Sequence, residues 1–149
     1  MSNPNIRTFG EILPGVKYVE RPGGYAFIRD EIGDYAIIQT LNGLFLPGGG
    51  LDGDEPEVGL KRELHEEMQF VVVRAKFMFQ AIQYHWSEHY KSHFKKVGNF
   101  FEVEGNRPAS AQMENEHSLL WLPLAEAERV LTQEFQRWAL GTYHRGIAG

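Results

Sequence analysis

Three glutamates, Glu63, Glu66 and Glu67, follow a glycine run, Gly48-Gly49-Gly50, within the stretch LPGGGLDGDEPEVGLKRELHEEMQF. On a helix, positions i, i+3 and i+4 share a face, so these carboxylates crowd one another. Crowded like charges repel, and a solvated helix would normally interleave them with lysines. A hard divalent cation bound through carboxylate oxygens relieves the repulsion, and magnesium is commonly held this way beside substrate phosphates. Arg62 precedes Glu63 by one residue and Glu66 by four. It can orient a carboxylate without competing for metal. The glycines let backbone approach the same place closely and can offer a bare carbonyl as a further ligand. The competing reading is a solvated acidic face after a flexible loop. The joint occurrence of glycine run, acidic turn and clustered glutamates favours metal.

The elements that must position these groups follow from the same stretch. Leu60, Leu64 and Met68 recur every four residues and form one apolar stripe of a helix. Asp54 and Glu55 stand just before Pro56, where a helix start favours an acid and then proline. Gly59 inside that helix costs roughly 1 kcal/mol relative to alanine, a cost that close packing on a sheet would justify. Ahead of it, Tyr25 to Ile28 and Tyr35 to Thr40 read as strands split by a hairpin turn at 30–34. Asn42-Gly43 marks a second turn, and Leu44-Phe45-Leu46 is a short strand delivering the glycine loop. Strand, glycine loop and helix in succession bring the carboxylates to one end of a sheet.

The stretch resembles the signature of the Nudix (MutT-type) hydrolases, GX5EX7REUXEEXGU, where U is a bulky apolar residue. Gly48, Asp54, Arg62, Glu63, Leu64, Glu66, Glu67 and Phe70 fall on it. Asp54 stands where the family has glutamate, with Glu55 adjacent, and Gln69 stands where it has glycine. The resemblance implies a Nudix-like α/β/α sandwich with a mixed β-sheet between helices. It also implies hydrolysis, within the pyrophosphate, of a nucleoside diphosphate linked to some group X.

Residue by residue, the resemblance makes Glu63, Glu66 and Glu67 ligands of Mg2+, with Mn2+ as a substitute, and Gly48 a ligand through its carbonyl. Arg62 would hold Glu63 or Glu66 by charge-assisted hydrogen bonds. Asp54 or Glu55 would support the loop. In related enzymes a general base comes from the signature or from a later loop, and of Glu114 and Glu116 the latter is preferred here. The catalytic set is therefore Arg62, Glu63, Glu66, Glu67 and Glu116. Taken from the residues alone, carboxylates without a cysteine or evident serine nucleophile favour metal-assisted attack by water on a phosphoryl centre.

Composition sets the outer bounds. The chain has 149 residues, 42% hydrophobic and 23% charged, which suits one domain, 1–149, with a full core. Residues 1–15 read as a mobile or edge-pairing arm, with a short edge strand near Val16 to Glu20. The net charge of −5 argues against a nucleic-acid partner, although bound metal would still admit a polyanionic small substrate. Seven of the twenty acids lie between Asp52 and Glu67. The absence of cysteine excludes a disulfide framework, a thiolate zinc site and a cysteine nucleophile. No apolar signal core and no run long enough for a bilayer is present, so a cytoplasmic protein without membrane contact is expected. A homodimer through the N-terminal arm is implied by the resemblance only.

Val71 to Trp86 reads as a long, bent strand, paired with Lys96 to Glu104. Between them runs YHWSEHYKSHFKK, rich in aromatics, histidines and lysines, the composition of a specificity loop. Tyr84, Trp86 and Tyr90 are candidates to stack a nucleobase, against core filling for Tyr84 and Trp86. Lys91, Lys95 and Lys96 could meet phosphates, with Lys91 and Lys95 taken as substrate-binding residues. His85, His89 and His93 are four apart, but strand and loop context argues against a zinc site. Ser118 to Leu122 is a strand, Leu124 to Leu131 a short helix, and Thr132 to Tyr143 an amphipathic one with Phe135, Trp138 and Ala139 on one face.

Within the resemblance, a nucleoside triphosphate pyrophosphohydrolase ranks first, because no appended substrate module is evident. ADP-ribose or other sugar nucleotides and dinucleoside polyphosphates are alternatives. A nucleotide-sensing module without catalysis is the rival from another class, and a metal-stabilised structural domain a third.

Overall fold

Successive side chains of a strand face opposite ways, and the strand Tyr25 to Phe27 uses both faces. Tyr25 and Phe27 join one buried cluster, while Ala26 and Ile28 join another. The neighbouring Tyr35 and Ile37 divide from Ala36 and Ile38 in the same way. Sheet buried on both faces needs a helical layer on each side, and the computed structural model, which describes residues 6–148, has that arrangement.

In chain order the elements are β1 (Arg7–Phe9), β2 (Val19–Phe27), β3 (Tyr35–Thr40), β4 (Gly43–Phe45), β5 (Gly48–Gly50), α1 (Pro56–Met68), β6 (Val71–Ser87), β7 (Ser92–Asn106), β8 (Ser118–Leu122), α2 (Leu124–Val130) and α3 (Glu134–Ala148). One sheet has the order β1-β6-β7-β2-β5 and the other β4-β3-β8. The first is mixed: β2 runs parallel to β7 and antiparallel to β5, and β1 runs parallel to β6. α1 buries Leu60, Leu64 and Met68 completely against Ala26, Ile28, Ala36, Ile38, Phe101 and Val103. α2 and α3 bury Ala127, Leu131, Phe135, Ala139, Leu140 and Tyr143 against Tyr25, Phe27, Tyr35, Ile37 and Phe100. The result is the α/β/α sandwich expected from the sequence.

Four expectations are corrected. The short edge strand expected near Val16 to Glu20 is instead the start of a longer strand, β2, that runs on through Pro22-Gly23-Gly24. A Cβ at Gly24 would lie 3.1 Å from Leu51 and 3.2 Å from Leu60, so the missing side chain lets α1 sit on β2. β2 is accordingly an inner strand, and the edges are β5 and β1, the latter paired with Ala81–Gln83 of β6. Residues 1–5 of the proposed arm lie outside the described residues. The turn at 30–34 is present, but β2 and β3 then enter different sheets, joined by the Arg29–Tyr35 bridge. The glycine run is a strand, β5, rather than a loop. Finally, the aromatic stretch before Lys96 is mostly ladder: β6 and β7 pair as far as Ser87–Ser92, leaving only residues 88–91 as the hairpin tip.

Candidate functional site

α1 begins as its sequence requires. Glu55 is the N-cap and accepts the Glu57 N–H, and Pro56 opens the first turn, where its missing N–H costs nothing. Asp54 is thereby free of the capping role, and it accepts from Nε of Arg62 at 3.0 Å. The two neighbouring acids divide the work, one capping the helix and the other holding the arginine. Arg62 spreads its remaining donors over Glu63 at 3.3 Å, Glu66 at 3.2 Å and the carbonyls of Gly50 and Leu51 at 3.4 Å. One guanidinium thus ties the acidic turn, the glycine strand and two glutamates together.

The third glutamate is built differently. Glu67 is only 9% exposed and makes no ion pair among the described residues; Oε1 accepts the Gly48 N–H at 3.1 Å. Burial pushes its carboxyl up to about 8, the Gly48 bond opposes this, and the Glu63 and Glu114 charges add to it. Burial also raises Glu63, against the pull of Arg62. Glu63 and Glu67 both face β5: a Cβ on Gly49 would lie 2.9 Å from Glu63 Oε2. Gly48 is more constrained still, with φ +133 and a notional Cβ 2.0 Å from the Gly24 carbonyl. Only glycine fits there. The Ala26 N–H bonds to the Pro47 carbonyl, so Tyr25 and Gly48 are a non-hydrogen-bonded pair. Both polar groups of Gly48 are thereby turned from β2, its N–H to Glu67, and its carbonyl is left free on the same side.

Gln69 ends α1 in the left-handed region, φ 54, where glycine would be strain-free. Its side chain accepts the Gln112 N–H at 2.9 Å, and the Glu114 N–H donates to the Glu67 carbonyl at 2.8 Å. Arg107 caps the Met68 carbonyl. The end of the helix therefore anchors the loop at 111–116, and this brings the Glu114 charge to bear on Glu63 and Glu67. Glu116, preferred from sequence, is exposed two residues further along.

Beside Glu67 lies a cavity of about 240 Å³ bounded by β5, Tyr25, Phe45, Gln136, Arg21 and Lys96. Phe45 and Lys96 also border a second, broader cleft of about 700 Å³, which Gln83, His85, Trp86, Tyr90, Gln133 and Arg137 line. A further cleft of about 670 Å³, between the 30–33 turn and Glu102–Arg107, lies away from the carboxylates and contains none of the candidate residues.

A family model described as the NUDIX domain matches residues 22–143. The chain belongs to the Nudix family. A stretch of 66 residues is 38% identical to an 8-oxo-dGTP diphosphatase of Haemophilus influenzae, covering 40% of this chain and 48% of that protein. The chain therefore spans about half the length of the curated relative it matches. Among solved structures, a MutT protein from Methanosarcina mazei Go1 superposes with a TM-score of 0.70 at 20% identity, over 91% of this chain and 100% of that one. A C. elegans Ap4A hydrolase superposes with a TM-score of 0.66 at 17% identity, over 88% and 98%.

The donor set of this Nudix chain suits a hard divalent ion: carboxylate oxygens, a freed carbonyl, and a buried Glu67 whose nearest charges are negative. As they stand, no three His, Asp or Glu side chains among the described residues converge to enclose one. Glu66 is turned outward to Arg62.

The remaining sequence candidates scatter. Tyr84 packs edge-on against Tyr18, and Lys91 pairs with Glu88 at the exposed hairpin tip. Lys95 is half-buried and borders neither the 240 Å³ cavity nor the 700 Å³ cleft. Trp86 and Tyr90 do border the broad cleft, with Trp86 against His93. Residues the sequence did not single out, Arg21, Tyr25, Phe45, Gln133 and Gln136, complete the walls. Their elements are far apart in the chain, and no local pattern marks them. No described helix is long and apolar enough to cross a membrane.

Proposed function

We propose that this Nudix chain hydrolyses a nucleoside triphosphate within its polyphosphate, using Mg2+ held by Glu67, Glu63 and the Gly48 carbonyl, with Glu66 joining from the same turn. The observation that carries this reading is the buried, uncompensated Glu67 beside Glu63, facing a strand with no side chains and opening on a cavity with Lys96 at its wall. A bound divalent ion would neutralise charge on the phosphates and make water a better nucleophile. Arg62 positions Glu63 and Glu66, and Asp54 holds Arg62. Glu114, anchored beside the end of α1, is the loop acid best situated to take a proton.

The nucleoside fits the broader cleft, next to Trp86 and Phe45. Two buried polar atoms there, His85 Nε2 and Gln133 Oε1, have no hydrogen-bond partner, and buried polar groups seek one. A base edge that reached them on a small side-chain movement would supply both. The named activity of the Haemophilus influenzae relative, an 8-oxo-dGTP diphosphatase, agrees with a purine nucleoside triphosphate as the first candidate.

The test is a panel of nucleoside triphosphates, sugar nucleotides and dinucleoside polyphosphates with Mg2+, with products separated by chromatography. Release of nucleoside monophosphate and pyrophosphate by the intact protein, lost in Glu67→Gln, is expected. Equal turnover by both proteins would remove the assignment. Tight nucleotide binding with no turnover of any substrate would make the chain a sensor.

A further inference from the structure

Lys96 is an anomaly among the cations of this protein. Arg62 meets four acids, Lys61 pairs with Glu57, Lys91 with Glu88, and Arg74 with Glu104. Lys96 is half-buried, lines both cavities, and has no acidic partner within 4 Å among the described residues. Its neighbour in the β2–β7 register is another cation, Arg21. Arg21 is itself held over the rings of Tyr90 and Phe94, at 4.8 and 4.6 Å, rather than by a carboxylate. Burying an ammonium without a counter-charge is costly. Burial, followed by the Arg21 charge, lowers Lys96 to about 8. A fold gains nothing from such a residue, and a hydrophobic side chain of similar length would serve packing better.

Position explains what the fold does not. Lys96 borders both the cavity at Glu67 and the cleft at His85 and Trp86, and with Phe45 it marks where they meet. A ligand that fills both must pass it. We propose that Lys96, backed by Arg21, is an anion subsite that grips the phosphate adjoining the nucleoside. This rests on the nucleotide reading above for the identity of the ligand, though not for the anion. It also selects one of three lysines that the sequence offers within six residues: Lys91 is engaged at the hairpin tip, and Lys95 points to the other face of β7.

The experiment uses the intact protein, metal-free at pH 7, and titrates inorganic pyrophosphate, then the nucleoside monophosphate product and the matching nucleoside, by calorimetry. Lys96→Met should weaken pyrophosphate and the monophosphate at least tenfold and leave the nucleoside unchanged. Lys96→Arg should retain most of the affinity, and the exposed Lys76→Met should retain all of it. The thermal midpoint of Lys96→Met should rise, because an unpaired half-buried charge is gone; a purely structural lysine would lower it. Loss of nucleoside and monophosphate affinity in equal measure, or unchanged pyrophosphate affinity in Lys96→Met, would overturn the proposal. Pyrophosphate binding that depends on Lys96, in a protein that turns over no nucleotide, would uphold the anion site while removing the hydrolase reading.

Discussion

The two sides of the candidate site, the carboxylate turn and the region around the cavity and the adjoining cleft, are made in opposite ways. On one side, α1 and β5 supply Gly48, Asp54, Arg62, Glu63, Glu66 and Glu67 from a single run of chain, and Arg62 binds the run together. On the other, Arg21, Phe45, His85, Lys96 and Gln133 come from β2, β4, β6, β7 and the approach to α3. The first side holds a buried acid whose charge is disfavoured, the second a half-buried base whose charge is disfavoured. On the function proposed above, chemistry is encoded locally and recognition through strand register.

The largest test of that division is Glu67→Gln. It should lower kcat by about 10³-fold, as for loss of a group that stabilises transition-state charge, whereas Lys96→Met should act mainly on KM. Steady-state kinetics on folded variants checks this, and an equal fall in kcat from both would erase the distinction between the two sides.

The acid and base should also leave opposite marks on stability in metal-free protein. Glu67 sits at about 8, above its ordinary value of 4.5, so between those values the folded chain binds more protons than the unfolded one. Stability then falls as pH rises through that window. Lys96 sits at about 8, below its ordinary 10.5, so between those values the unfolded chain binds more protons and stability rises with pH. The two limbs give a minimum near pH 8, on the order of 5 kcal/mol on the acid side and about 3 kcal/mol on the alkaline side. Denaturant titrations from pH 5 to 10 should show both limbs, with Glu67→Gln removing the acid-side slope and Lys96→Met the alkaline one. A flat profile in the parent protein would contradict both burials.

Gly48→Ala should cost roughly 2–3 kcal/mol, from the left-handed backbone and the contact with the Gly24 carbonyl. An unchanged thermal midpoint would mean that β5 can move away from β2. Smallest is Gln69→Gly, within about 1 kcal/mol, since relief of the left-handed strain offsets loss of the Gln112 bond. Its useful readout is hydrogen exchange at Gln112 and Glu114, which should quicken if Gln69 tethers the loop.

The same division explains what can be read from the chain alone. The stripe of Leu60, Leu64 and Met68, the acid-proline start and the glutamate spacing are relations between residues a few positions apart, and each is legible in the sequence. The choice between Asp54 and Glu55 is not, because it depends on which of them Arg62 reaches. Lys95 and Lys96 differ by one position, and in a strand that decides the face. Only the pairing of β7 with β2 and β6 identifies the inward one. Pro22-Gly23-Gly24 carries every local mark of a turn, yet tertiary packing under α1 makes it strand. The backbone bond that ties Glu114 to the end of α1 is of the same kind and carries no local mark in the sequence.

The bare backbone at Gly48 and Gly49 has a consequence for how this scaffold could be retargeted. A substitution at Gly48 meets the Gly24 carbonyl and cannot be made without disrupting the fold, and one at Gly49 displaces the Glu63 carboxylate, so that side of the cavity cannot be retuned without disturbing either the fold or the candidate metal ligands. If the proposed function holds, divergence toward a new substrate, in nature or in a library, has its freedom at residues 21, 45, 85, 96 and 133, which line the cavities without belonging to the carboxylate turn.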